Sequence, residues 1–266
     1  MTKKQRIIVN GALGKMGRET LKAVAGDHEL LLSGAVDLKS RGEDVSELTG
    51  IPGLNIKLEK DLESCLEGIG ADLMVDFTNP QAVYNNARIS LEKGIACVIG
   101  TTGLNELELK QLDRIARERE IGIAVIPNFA IGAVLMMKFA REAAAHFPDV
   151  EIIELHHDQK MDAPSGTAIK TAELINESRA SRPPKSIKEF EKIPGSRGGD
   201  LGQIRIHSVR LPGFVAHQEV IFGGIGQSLT IRHDSIDRVG FMPGVIMVIK
   251  KMPEIKGLVY GMENLI

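Results

Sequence analysis

Between residues 154 and 168 the chain reads ELHHDQKMDAPSGTA, which gathers two histidines, a lysine, two aspartates and a turn of small residues. Composition of this kind rarely arises for packing alone. Histidine titrates near neutrality, so His156 or His157 can exchange protons at working pH. Lys160 can hold a carboxylate or act as an acid. After Pro164, the run Ser165-Gly166-Thr167 opens a helix. The backbone N–H groups of a first turn have no partner within the helix and form an anion site, which the Ser165 and Thr167 hydroxyls extend. The loop can therefore hold a carboxylate and deliver a proton. Adjacent histidines near Asp158 and Asp162 also suit zinc by residue type. The HExxH spacing is absent, however, and neighbours on a strand point to opposite faces, so no metal is expected. The bland alternative is a capped helix with surface histidines.

A second constellation lies at the N-terminus. Gly11, Gly14 and Gly17 give G-x-x-G-x-x-G after an apolar run and before a helical pattern. This is a variant of the dinucleotide fingerprint, in which glycines permit a tight turn and close approach to pyrophosphate. Asp37 lies 20 residues beyond Gly17, where a ribose-binding carboxylate belongs. Such a carboxylate favours NADH and repels a 2′-phosphate, whereas nearby Lys39 and Arg41 attract one, so NADH is favoured and NADPH is not excluded. GTTGL at 100–104 and IPNFAIG at 126–132 each follow a strand-like run and sit where open parallel sheets bind ligands. Their Thr and Asn also suit helix caps, and it is the shared position that points to cofactor contact.

The elements that must position these residues follow from periodicity. Apolar runs at 7–9, 30–36, 73–77, 96–99 and 121–126 alternate with helix-like segments, including 80–93 and 105–119. That alternation predicts a Rossmann-like, doubly wound parallel sheet in an α/β fold. Beyond Pro127 the reading is a helix over 131–146, a strand over 150–156, the polar loop, and a helix over 167–178. Alternating strands over 204–209, 215–222 and 228–233 read as half-buried and antiparallel, which makes the second domain an α+β unit. Residues 181–202 have too few apolar side chains to bury themselves and read as a mobile loop or lid.

With 266 residues, two domains is the expected count, and the net charge of −2 offers no global field for nucleic acid or an anionic membrane. The two cysteines, Cys65 and Cys97, fit neither a disulfide framework nor a metal spacing. The short apolar run before Gly11 is no signal peptide core, and a soluble cytoplasmic protein is expected.

The stretch from His156 to Ala168 resembles the dihydrodipicolinate reductase family, now called 4-hydroxy-tetrahydrodipicolinate reductase, whose hallmark is His-His-x-x-Lys-x-Asp-Ala-Pro-Ser-Gly-Thr-Ala. The likeness extends through GALGKMGRE, DFTNP at 76–80, GTTG, NFAIG, HSVRLPG at 207–213 and RHDSIDRVGFMPGV at 232–245. It implies hydride transfer from NADH or NADPH to a cyclic dicarboxylate imine in the diaminopimelate route to lysine. It also implies a substrate domain with a mixed sheet, and a homotetramer joined through those sheets. By the same carry-over His156 is the proton donor or acceptor and Lys160 the second donor, with His157, Gly166 and Thr167 on the substrate. The cofactor contacts carried over are Gly11, Ala12, Leu13, Gly14, Lys15 and Met16, then Asp37, then Gly100, Thr101 and Thr102, then Ile126, Pro127, Asn128 and Phe129. Two departures stand out. Asp37 is followed by Leu38 where many members have arginine, and VAHQEV at 215–220 replaces a sequence closer to VGEHTV. An aspartate dehydrogenase-like enzyme or a non-catalytic NADH sensor would keep the glycine turn without needing the complete 156–168 loop. The expected division is 1–128 for the dinucleotide-binding domain, 129–234 for substrate binding and tetramerisation, and 235–266 returning to the first domain. Two crossings would form a hinge at which cleft closure excludes water.

Overall fold

Strands buried on both faces read as unbroken apolar runs, and the five runs of the first half of the chain become parallel strands. The computed structural model describes residues 4–179 and 190–266. They form two compact units, one comprising the described residues up to Phe129 with Phe241–Ile266, the other Ala130–Gly240.

In the first unit β1 (Gln5–Asn10), α1 (Lys15–Gly26) and β2 (Leu30–Val36) give the opening βαβ turn. Three short elements that periodicity did not show follow: α2 (Val45–Thr49), β3 (Leu58–Glu59) and α3 (Leu62–Ile69). Then come β4 (Leu73–Asp76), α4 (Val83–Glu92), β5 (Ala96–Ile99), α5 (Glu106–Glu118) and β6 (Gly122–Val125). Asn105 and Glu108 start α5 with a reciprocal capping box.

The second unit contains α6 (Ile131–Ala144), β7 (Asp149–His156), α7 (Gly166–Ser178), β8 (Gly199–Leu201), β9 (Ile204–Arg210), β10 (Ala216–Gly224) and β11 (Gln227–Ser235). The chain then returns to the first unit through α8 (Met242–Lys251) and β12 (Gly257–Tyr260). There Lys250 pairs with Asp27 at 2.9 Å, and Gly244 lets the helix approach the Phe129 carbonyl, to which a Cβ would come within 2.0 Å.

The first sheet has the order β12-β6-β5-β4-β1-β2-β3 and every pairing is parallel. The chain moves outward from β1 in one direction and restarts at β4 in the other. The carboxyl ends of β1 and β4 therefore flank the crevice where such sheets take ligands. The second sheet, β11-β10-β7-β9-β8, is mixed. The alternation over 204–209 predicts an antiparallel strand, but β9 runs parallel to β7 and antiparallel to β8. The chain between β7 and β9 passes through α7, long enough for a parallel return, and alternation alone does not report strand direction. Of the predicted lid, residues 181–189 lie outside the described residues, and its end is the edge strand β8 rather than loop. No helix among the described residues is long and apolar enough to cross a membrane.

Candidate active site

In the first unit the glycine turn is built by contact rather than by flexibility alone. Gly11 has φ +82°, and a Cβ there would lie 2.4 Å from the Phe77 carbonyl oxygen. A Cβ on Gly17 would lie 2.1 Å from the Gly11 carbonyl oxygen, so only glycine lets α1 start this close to β1. Gly11 and Ala12 both donate to the Val36 carbonyl, at 2.9 and 3.0 Å, which ties the turn to the end of β2. Gly14 caps α1 without any side-chain hydrogen bond, leaving the first turn at Lys15 and Met16 as an anion site. Asp37 stands beside it, its two oxygens accepting from the Leu13 and Lys39 backbone N–H groups, both at 2.9 Å. Each oxygen retains a second lone pair, and Lys39 and Arg41 are exposed nearby. The residues present thus fit a dinucleotide, with the glycine cradle and α1 terminus for pyrophosphate and Asp37 for ribose.

The loops after β5 and β6 meet this turn on a shared floor. The Phe77 ring packs against Phe129 with centroids 5.6 Å apart, and a Cβ on Gly100 would strike the same ring at 2.1 Å. Several expected cofactor contacts therefore turn their side chains inward. Ala12, Ile126 and Phe129 are buried, and Thr101 gives its hydroxyl to Asp76 at 2.9 Å, so backbone groups are what these positions can offer a ligand. Gly14, Lys15, Thr102 and Pro127 are exposed, and Leu13, Met16 and Asn128 are intermediate. Asp76, which sequence reasoning quoted only within a motif, is fully buried at the crevice. It accepts from Asn10 Nδ2, Asn86 Nδ2, Thr78 N, Thr78 Oγ1 and Thr101 Oγ1 at 2.7–3.0 Å, joining the ends of β1, β4 and β5 to α4.

In the second unit the strand period of two places Glu154 and His156 on one face of β7. His156 Nδ1 meets Glu154 Oε2 at 2.5 Å. Arg210, at the end of β9, donates from Nη1 to Oε2 and from Nη2 to Oε1, both at 2.8 Å, while the Ser165 N–H donates to Oε1 at 3.2 Å. Glu154 thus links the histidine to the start of α7. Ser165 caps that helix, its Oγ accepting from Ala168 N at 3.2 Å. The cap uses a lone pair of this hydroxyl and leaves its O–H as a donor. Gly166 is exposed, with open space where a Cβ would stand, and Thr167 follows it in the first turn. Lys160 Nζ is held by Asp162 at 2.7 and 2.8 Å, so its charge is paired within the loop. His157 is half-buried beside this group. The structure therefore brings His156 to the α7 terminus within one loop that also carries His157 and Lys160. It adds Glu154 and Arg210, which sequence reasoning passed over. In the divergent 215–220 segment, His217 Nδ1 pairs with Asp234 at 2.7 Å and Gln218 donates to Thr171 at 2.8 Å.

Burial by itself pushes the Glu154 carboxyl up; hydrogen bonds from His156, Arg210 and Ser208 outweigh it and hold the group at about 2, against an ordinary 4.5. A carboxyl lowered on folding stabilises the fold above its unfolded value, and that contribution drains away as pH falls toward the folded value. The difference corresponds to about 3 kcal/mol at most. Urea unfolding between pH 4.5 and pH 2 is expected to show a loss that Glu154→Gln reduces. An equal loss in that variant would show that the acid sensitivity originates elsewhere.

Comparison with known proteins places the whole chain in one family. The family model described as dihydrodipicolinate reductase, N-terminus, matches residues 5–129, and its C-terminal counterpart matches 132–266. A 4-hydroxy-tetrahydrodipicolinate reductase of Syntrophomonas wolfei is 70% identical over 266 residues, covering all of both chains. One of Desulfitobacterium hafniense is 52% identical over 263 residues, 98% of each chain. The solved structure of a dipicolinate-bound dihydrodipicolinate reductase from Paenisporosarcina sp. TG-14 superposes with a TM-score of 0.89 at 46% identity, covering 99% of this chain and 100% of that one. From its first strand to its last residues, the chain belongs to the dihydrodipicolinate reductase family.

Proposed function

We propose that the chain reduces the cyclic imine of 4-hydroxy-tetrahydrodipicolinate to tetrahydrodipicolinate, in the diaminopimelate route of lysine biosynthesis, with NADH or NADPH as reductant. The observation that carries this reading is the 154–168 loop, where a histidine locked onto a buried carboxylate adjoins an exposed helix terminus and a lysine. Relatives named for that reaction support it along the whole chain. When bound, the nicotinamide supplies the hydride. Gly11 to Met16 hold the pyrophosphate and Asp37 the ribose, with backbone groups of Gly100, Thr101 and Thr102 and of the segment from Ile126 through Pro127 and Asn128 to Phe129 completing the cofactor site. Lys160 and the Gly166 and Thr167 N–H groups clamp substrate carboxylates, which selects a dianion over a neutral imine. His157 touches the substrate, and His156 delivers the proton that balances the hydride, Lys160 serving as the second donor.

The reading places the enzyme in the cytoplasm, where its two buried thiols, both pushed up to about 12 chiefly by burial, stay reduced and inert. It also includes a homotetramer assembled on the second sheet, whose outward residues Ile153, Leu155 and Ile221 are only half-buried in the single chain.

The direct test follows NADH and NADPH oxidation with freshly prepared substrate, alongside cofactor binding alone. Turnover with both is expected, with a preference for NADPH below about 100-fold, or ~2.7 kcal/mol. The motivating feature is Asp37 without a following arginine, compensated by Lys39 and Arg41. A larger NADPH preference would contradict the role given to Asp37, and NADH binding without turnover would replace the enzyme by a sensor.

A further inference from the structure

A histidine that exchanges a proton with substrate needs one nitrogen aimed at the substrate and a fixed proton on the other, because only then is the substrate-facing nitrogen the one that gains a proton to form the imidazolium and loses it on transfer. Nothing in the sequence pattern assigns a residue to that task, but the geometry does. We infer that Glu154, gripped by Arg210, is a positioning residue that holds the proton on His156 Nδ1 and leaves Nε2 as the nitrogen that exchanges a proton with substrate. The inference rests on the reading of His156 as the proton donor.

Every group around the Glu154 carboxylate is a donor. Arg210 occupies both oxygens from its two terminal nitrogens, Ser165 N donates to Oε1, and His156 Nδ1 closes on Oε2. A carboxyl so surrounded is ionised and only accepts, so the hydrogen between Oε2 and Nδ1 belongs to the imidazole. Its low titration point, about 2, agrees with that assignment. The carboxylate has no exposed surface, so the pair is not exchanged for water. Arg210 is fixed in turn: Nη2 also donates to the Asp162 carbonyl at 2.7 Å, which ties the grip to the loop carrying Lys160. The parallel register sets His156 opposite Arg210 and Glu154 opposite Ser208, so Arg210 reaches the Glu154 carboxylate because β9 lies beside β7. In the step itself the imidazolium gives its Nε2 proton to the reduced substrate, retains the Nδ1 proton, and returns to the neutral tautomer that Glu154 selects. Glu154 takes no proton. The division of labour follows the general logic of carboxylate-oriented histidines.

The test combines nitrogen NMR with kinetics on the full-length protein. In ¹⁵N-histidine-labelled enzyme, signals absent from His156→Ala identify His156, and its neutral form is expected to carry the proton on Nδ1. Glu154→Gln is expected to mix or reverse the tautomer and lower kcat by roughly 10²-fold, with substrate KM and NADH affinity changed less than about 3-fold. The double variant Glu154→Gln/His156→Ala is expected to be no slower than His156→Ala alone. A wild-type His156 protonated on Nε2 in its neutral form overturns the inference even if Glu154→Gln fails to fold. A Glu154→Gln variant with unchanged kcat and tautomer does the same, while the reading of His156 stands as long as His156→Ala is slow. If His156→Ala turns over normally, that reading fails first and the inference falls with it.

Discussion

Replacing His156 by alanine is expected to lower kcat by roughly 10²- to 10⁴-fold, the contribution of a positioned general acid, while leaving NADH affinity close to wild type. The two halves of this expectation rest on different parts of the molecule. The residues proposed to hold the dinucleotide, from the Gly11 turn to Asp37 and the loops after β5 and β6, belong to the unit built on the parallel sheet. His156 belongs to the other unit and ends β7. Its removal does not strand a buried charge either, because Glu154 keeps both hydrogen bonds from Arg210 and the one from Ser165 N. The fold should therefore survive, and the loss should fall on the chemical step. Single-turnover rates set against NADH titration by fluorescence would check it, and an unchanged turnover number would remove His156 from the mechanism.

The parts legible in the sequence are those where one physical demand dominates. β1, β4, β5 and β6 are covered on both faces, so their apolar runs are continuous and hard to mistake. The 154–168 loop is equally plain because it concentrates titratable groups between a strand and a helix, where packing does not require them. The elements that escaped notice are short or held by distant partners. α2 has five residues and β3 two, too few for any period to show. β12 has four residues and exists because it pairs with β6, more than a hundred positions earlier in the chain. The same limit applies to the site. His156 and Lys160 are visible locally, whereas Arg210 lies 56 positions from Glu154 and reads as one more charge on a strand. A signal did exist. Val150, Ile152 and Glu154 fall on the inward face of β7 by strict alternation, and a carboxylate at an inward position demands a partner. Asp76 carries the same signal, since it ends the otherwise apolar run Leu-Met-Val-Asp of a wholly buried strand.

That second buried carboxylate yields the other large expected effect: Asp76→Ala should destabilise the first unit by about 2–5 kcal/mol and weaken NADH binding with it. Five donor atoms converge on Asp76, and they do not suffer equally from its loss. The Thr101 hydroxyl has the Asp76 backbone carbonyl at 3.5 Å as an alternative acceptor, and Asn86 Nδ2 has Thr78 Oγ1 at 3.3 Å. Asn10 Nδ2 and the Thr78 backbone N–H have no such alternative in the site, and Asn10 is only 4% exposed. Two orphaned donors at about 1–3 kcal/mol each, partly relieved by a water in the vacated space, give the range. Asp76→Asn should retain the shape but turn one acceptor into a donor facing donors, so it should lie between wild type and alanine. The effect reaches the cofactor because the atoms released sit next to the turn: Asn10 precedes Gly11, Thr78 follows the Phe77 whose carbonyl walls Gly11, and Thr101 follows Gly100. Loosening them frees the cradle that Gly11 and Gly17 hold closed by contact. Urea unfolding and NADH titration of both variants would measure the two consequences. A cost below about 1 kcal/mol for Asp76→Ala would mean that water replaces the carboxylate fully and that the crevice is held by the glycine contacts alone.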